Sequence, residues 1–505
     1  MMSLVSLLHD NPVLVKHFRS QLRRQQFIPL LAVVVVIAVC ITWVGMPVTS
    51  TVNWSDANWQ TSMNWMFSLQ GILLLLLAPL EVANSVAHAR KNGMMDFHRV
   101  SPQHPAALAL GFLLGGSLRA LLLYACTLPF MLLLFFCALA IAPTHVPALL
   151  LVPLGMLISW LFFSCAALLI GLSVNVQKAN YAGAFAVLLV IAFHFALEQS
   201  PLCYLTVFPT IFAILGEYHS QMLFDCTFFG VEYQYLLITL LHQLPLIGFL
   251  WLAVKRKMRR EHTFLFSKPQ ALLFFIVLGL LTIGDLGILC YTNYRLNLLL
   301  GSTIVLYVLL IITLFVSAMV TPRLAQLEAG VRHARKLGLA ELPRWCEATA
   351  TMPVILCLGA LYLLFTRVAF LLVRGEEGAS RFIILLMLTT AVLTILYFGL
   401  ALQCFLLHFR KNGLNYFGLL LFAIWVLPCL LGIMASITGA DMRITERLCS
   451  FSPWAGIGLS LYSTQNTPDV LLGFLSAGMA LLLVVIFSVL YRRVVRNVTM
   501  PLAVL

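Results

Sequence analysis

Few side chains in this 505-residue chain stand where they could do chemistry. His194 and Glu198 lie four apart, a spacing that places two groups on one helix face, and Arg119 sits inside a long apolar run. Ionisable groups within apolar segments often line a path for ions or polar substrates, so these three are candidate pathway residues. Arg119 equally fits a cation that snorkels to a membrane edge. No Ser/His/Asp set and no carboxylate pair stands out as catalytic. Gly-Lys never occurs, so there is no GxxxxGK[ST] loop to cradle phosphate, and the sequence predicts no ATP binding by that route. The cysteines show no CxxC and no Cys/His ligand spacing, which leaves no metal set. Cys40, Cys126, Cys137 and Cys165 lie in apolar runs, where a thiol acts as a small hydrophobe. Cys203 and Cys226 share one loop and are either a disulfide or two free thiols.

What remains is recognition chemistry. Residues 88–104 form a short cationic island, His-Ala-Arg-Lys-Asn-Gly-Met-Met-Asp-Phe-His-Arg-Val-Ser-Pro-Gln-His, between two long apolar stretches. Each charge at a bilayer centre costs about 2.5–3.5 kcal/mol even on the mildest scale, so the island belongs in water. Asp96, Phe97 and Val100 fall at helical spacing after Gly93, and Ser101-Pro102 predicts the helix end. By its residues alone the island is either a solvated loop that obeys a charge rule or a short helix shaped to touch another protein.

The elements around it are those of a membrane protein. Hydrophobic residues make up 62% of the chain, charged residues 10%, and the mean hydropathy is +1.00, more apolar surface than a soluble protein can hide. Asn11-Pro12 predicts a helix start, with Leu14, Phe18 and Leu22 on one stripe and Lys16, Arg19, Arg23 and Arg24 around it. That helix either lies in the interface or simply anchors the first span. Apolar runs predict spans at about 27–46, 66–87, 106–139, 148–174, 181–198 and 233–254. A second set follows at about 271–290, 298–320, 351–372, 382–408, 414–435 and 469–491. The third run is over-long and is expected to project or to bend at Pro129. Gly111 and Gly115 form a GxxxG suited to close helix packing, and Trp54, Trp59 and Trp65 suit an interfacial aromatic belt.

The expected fold class is therefore all-α: a polytopic integral membrane protein of about twelve transmembrane helices in two parallel-repeat six-helix halves. The halves are residues 1–254 and 271–505, joined by a basic linker at 255–270. Most of the 31 Lys and Arg residues gather on the N-terminal side of this topology, which makes both termini and the linker cytoplasmic. The formal charge of +13 thus reports topology and not nucleic-acid binding. The halves also echo each other: His88-Ala89-Arg90-Lys91-Asn92-Gly93 recurs as His333-Ala334-Arg335-Lys336-Leu337-Gly338.

Asn11-Pro12-Val13-Leu14-Val15-Lys16, followed by Arg19, Leu22, Arg23 and Phe27, resembles the N-terminal interface helix of ABC-type exporter permeases of the second class, which commonly read NPVLxKExR. Ala78-Pro79, then Arg90, Gly93, Asp96, Ser101 and Pro102, is similar to that family's segment reading roughly ERxxGTLDxLxxSP between spans two and three. Phe208-Pro209 resembles its proline motif before span six. The resemblance implies a permease subunit of an ATP-driven exporter, without ATPase motifs of its own. A separate ATP-binding-cassette subunit would carry ATP-Mg, and this chain would hold no cofactor. Docking would fall to Lys16, Arg19, Arg23, Arg90, Gly93, Asp96, Ser101 and Pro102, and in the second half to Gly338 and Glu341. With two halves fused, one chain would make the membrane part of a transporter in the plasma membrane, a bacterial inner membrane. His17 replaces the usual glutamate, Met94-Met95 replace Thr-Leu, and the second copy lacks the Ser-Pro ending. The alternatives are an ion- or proton-coupled carrier, for which only Glu81 and Asp285 are candidate acids, and a membrane-embedded transferase acting on lipid-linked substrates.

Overall fold

A computed structural model describes residues 11–45, 59–100, 103–141, 146–174, 181–197, 205, 226–229, 231–233, 235–260, 263–284, 296–338, 351–372, 381–409, 412–438, 441–455 and 470–504. These are helical apart from turns and a small antiparallel hairpin of β1 (Cys226–Phe228) and β2 (Val231–Tyr233). The chain divides into two compact units, Met1–Leu265 and Phe266–Leu505. That division falls inside the expected linker, although the basic run is helical as far as Arg259.

In the first unit α1 (Pro12–Gln21) precedes the apolar α2 (Arg24–Gly45). Next come α3 (Trp59–Gly71), a π-helical segment (Ile72–Leu77) and α4 (Ala78–Lys91), which together make one long span. A turn at Asn92-Gly93 leads into α5 (Met94–Val100). The third expected span is two helices, α6 (Pro105–Gly116) and α7 (Leu118–Ile141), interrupted at Ser117. The expected bend at Pro129 is not where the break lies, since α7 runs through that proline. The chain continues with α8 (Val146–Ser173), α9 (Ala182–Leu197) and α10 (Tyr235–Arg259). The centre of this unit is α4, which packs against α6, α8 and α9, and Asn84 accepts the Gly183 N–H at 2.9 Å.

The second unit begins with α11 (Lys268–Gly284), at whose start Gln270 Oε1 accepts the Ser267 N–H at 3.0 Å. Then come α12 (Leu296–Val320) and the amphipathic α13 (Leu324–Lys336), bent 55° apart. Pro322 lies in the break, where a missing N–H and a ring clash end a helix. α14 (Met352–Leu372) and the largely buried α15 (Arg381–His408) follow. Next are α16 (Gly413–Leu421), a second π segment (Phe422–Val426), α17 (Leu427–Ile437), the short α18 (Met442–Ser450) and α19 (Val470–Val504).

Eight helices among the described residues are long and apolar enough to cross a membrane, or nine if the bent pair is one span. Pro105–Gly116, Lys268–Gly284 and Met352–Val368 are apolar but shorter. This is the architecture of a multi-pass membrane protein. Large apolar side chains such as Val36, Trp43, Leu430 and Leu482 face outward along these helices, as lipid-facing surfaces require.

Candidate functional site

A cluster of polar and exposed side chains lies in the first unit, where α1, α5, α6 and the start of α7 meet. Asn11 builds it. Its Oδ1 accepts the N–H groups of Val13 (3.1 Å) and Leu14 (3.4 Å), capping α1, while Pro12 fills the first helical position. The same amide donates from Nδ2 to the Ala107 carbonyl at 2.6 Å, tying α1 to α6. Gly111 and Gly115 make this approach possible. A Cβ on Gly111 would lie 2.7 Å from Asn11 Oδ1, and one on Gly115 would lie 2.9 Å from His17 Cβ. The GxxxG therefore packs α1.

Val13, which is buried, and the half-buried His17 and Gln21, four apart, form the face of α1 that meets α6. Leu14 and Leu22 of the expected stripe are half-buried, while Phe18, like Val15, is exposed. His17 packs edge-on against Phe112, with ring centroids 5.6 Å apart. Burial first, and the charge of Lys16 second, push its imidazole down to about 4, so it is neutral near pH 7. His98 of α5 also stands edge-on to Phe112, with ring centroids 6.5 Å apart, and the same two causes lower its pKa.

Gln21 holds the break between α6 and α7. Its Nε2 donates to the Gly116 carbonyl at 2.9 Å and its Oε1 accepts the Arg119 N–H at 3.3 Å. Both are helix-end groups without a helical partner, and the side-chain amide supplies the missing donor and acceptor. Arg119 then pairs with Glu81 of α4, its Nε donating to Oε1 at 2.6 Å. Arg119 is thus neither free in a pathway nor snorkelling unpaired. Breaking such a pair by removing one partner leaves a poorly solvated charge. Glu81 Oε2 has no hydrogen-bond partner among the described residues.

Gly93 turns the chain out of α4. Its φ of +69° lies in the left-handed region, and Gly338, just after α13 in the second unit, has the same φ. α5 comes next, with Met95 buried beneath it and Lys16 Nζ 2.9 Å from Met94 Sδ. Arg99 pairs with Asp96 at 2.9 Å and donates to the Met258 carbonyl at the end of α10 at 3.4 Å. Asp96 (75% exposed side chain), Phe97 (74%) and Val100 (89%) face outward. α6 then starts at Pro105, capped by His104, whose Nδ1 accepts the Ala106 N–H at 3.2 Å.

The expected residues divide accordingly. Lys16, Arg19 and Arg23 are exposed on α1 or just after it, and Asp96 is exposed on α5. Arg90 is turned inward, its Nη1 donating to the carbonyls of Gly171 (3.1 Å) and Val174 (2.6 Å) at the end of α8. It caps that helix end. Ser101, Pro102, Glu198, Asp285, Cys203 and Glu341 lie outside the described residues, as do the side chains of His194 and Cys226. Sequence reasoning misses Gln21 and the Phe112 contact. The signal for them is the GxxxG on one side and the four-residue spacing from Val13 to Gln21 on the other. Among the described residues no three His, Cys, Asp or Glu side chains come together as a metal set. Compared with known proteins, the chain matches no family model, no curated protein and no solved structure.

Proposed function

We propose that the chain is the membrane permease of an ABC-type exporter and couples a separate ATPase subunit to substrate movement. The observation that carries this reading is the exposed edge of α5. That helix is fixed from below by Met95 and Arg99, yet it presents Asp96, Phe97 and Val100 to solvent. Burying an apolar side chain of this size is worth about 1.5–3 kcal/mol, so a partner that covers the edge recovers that energy. Asp96 beside the apolar pair adds a charge that selects partner and register. Lys16, Arg19 and Arg23 add exposed cations on α1 and just after it, with Lys16 reaching Met94 at the start of α5.

In this reading the chain has twelve spans in two parallel-repeat halves, both termini are cytoplasmic, and the membrane is a bacterial inner membrane. ATP closure in the partner presses on α5 and on the turn at Gly338. The helical halves tilt, and an inward-open cleft is exchanged for an outward-open one. The energy is the partner's differential affinity for ATP in the two states. ATP-Mg resides on the partner, and no cofactor resides here. The test is hydrolysis: the purified chain alone should turn over no ATP, and its complex with a co-purifying ATPase should do so. Hydrolysis by the chain stripped of all partners would refute the reading.

A further inference from the structure

The second unit carries a pair of cysteines on adjacent helices. Gly432 on α17 has no side chain, and a Cβ there would collide with Cys449 Sγ and lie 3.1 Å from the Thr445 carbonyl oxygen. α18 therefore lies directly on the glycine face of α17, and Cys449 fills the notch. Cys429 is three residues before Gly432, on that same face. The Cys449 sulfur is 4.0 Å from the Cys429 carbonyl oxygen, so the two residues touch across the helix pair. Cys429 Sγ donates in turn to the Trp425 carbonyl at 3.3 Å, in the π segment. Neither residue is fully buried, and Cys449 lies on α18, beyond the end of the apolar helix Gly413–Ile437 that carries Cys429.

We propose that Cys429 and Cys449 are a reversible disulfide-forming pair that clamps α18 onto α17. A disulfide of an oxidising compartment supplies the oxidising equivalents. The Cys449 thiolate attacks one sulfur of that disulfide, forming a mixed disulfide and releasing one thiolate. The Cys429 thiolate then attacks the Cys449 sulfur, the intramolecular bond forms, and the second thiolate leaves. The two protons of the cysteines end on the two released thiols. Oxidation in the cell rests on the proposed orientation, which puts the α17–α18 connection on the outer face. The clamp would also fix the turn at the end of α18. There Ser452 Oγ donates to the Trp425 carbonyl at 2.9 Å, Trp454 stacks on Trp425 at 5.1 Å, and Tyr307 donates to the Trp454 carbonyl at 2.7 Å.

The test is peptide mapping of the full-length protein in lipid nanodiscs after exposure to oxidised glutathione and acid quench. The expected result is a peptide pair linked through Cys429 and Cys449, lost after dithiothreitol and absent from Cys429→Ser and Cys449→Ser. Those variants serve only as assignments, so a variant that fails to fold does not affect the wild-type readout. If Cys429 and Cys449 are recovered as separate alkylated thiols or as separate glutathione adducts, the proposal is overturned. A linked peptide in nanodiscs with free thiols in protein quenched directly from cells supports the pair and overturns the outer placement alone.

Discussion

Gly93 separates backbone strain from crowding. Its φ is +69°, yet no atom lies within 4 Å of where a Cβ would sit. Gly93→Asn should therefore be tolerated, because Asn adopts the left-handed region readily. Gly93→Val should cost more than the roughly 1–2 kcal/mol of an ordinary L residue there. Thermal melting of the purified protein, read with partner-stimulated ATPase, checks the order Gly, Asn, Val. His17 gives a pH test. Its folded pKa is lowered to about 4 against an ordinary 6.5, so the unfolded state binds more protons between those values. The stability it protects is intact above about pH 6.5 and is lost as pH falls toward 4, by about 2 kcal/mol after solvent screening. His17→Gln should flatten the melting temperature across that window; an unchanged pH slope would contradict the pocket. The turn at Gly93 is legible in the sequence because a glycine after a polar helix end carries a backbone meaning. The neutrality of His17 is not, because it depends on Phe112, almost a hundred residues away.

At the scale of elements, α1 is fastened to the third span at both ends, by Asn11 to Ala107 and by Gln21 to Gly116 and Arg119. The Arg119–Glu81 pair carries that link on to α4, which leads directly into α5. Arg119→Met alone should destabilise the protein by about 3–5 kcal/mol, since it strands Glu81. The double variant Arg119→Met with Glu81→Gln should recover most of the loss. Melting curves of both variants check this, and a double variant as unstable as the single would show that the pair is not the cause. The sequence marks α1, its cap and the GxxxG correctly, because capping and small-residue spacing are local patterns. It does not show that the GxxxG receives α1, nor that the third span breaks at Ser117. That break is held by a side chain arriving from another helix, and the proline that draws attention lies in an unbroken one.

For the molecule as a whole, apolar runs make the helical membrane class legible, since a bilayer demands length and hydropathy from each span independently. The twelve-span layout is finer than the eight or nine qualifying helices show, because α9, α11 and α14 are short and α12 is part of a bent pair. Cysteine labelling tests the layout. Asp56→Cys and Asp225→Cys should react with an impermeant reagent from outside, and Asp96→Cys and Arg259→Cys should not. Met95 and Met258 are buried, so their exposed neighbours are the informative positions. The most direct measurement of the central claim is capture of the ATPase by the intact permease. Phe97→Glu with Val100→Glu alters only the outward edge of α5 and leaves Met95, Arg99 and the Gly93 turn in place. The double variant should elute as the wild type does in size exclusion, but should lose the co-purifying ATPase and transport together. A variant that elutes normally, retains the ATPase at the wild-type ratio and transports at the wild-type rate would contradict docking at α5.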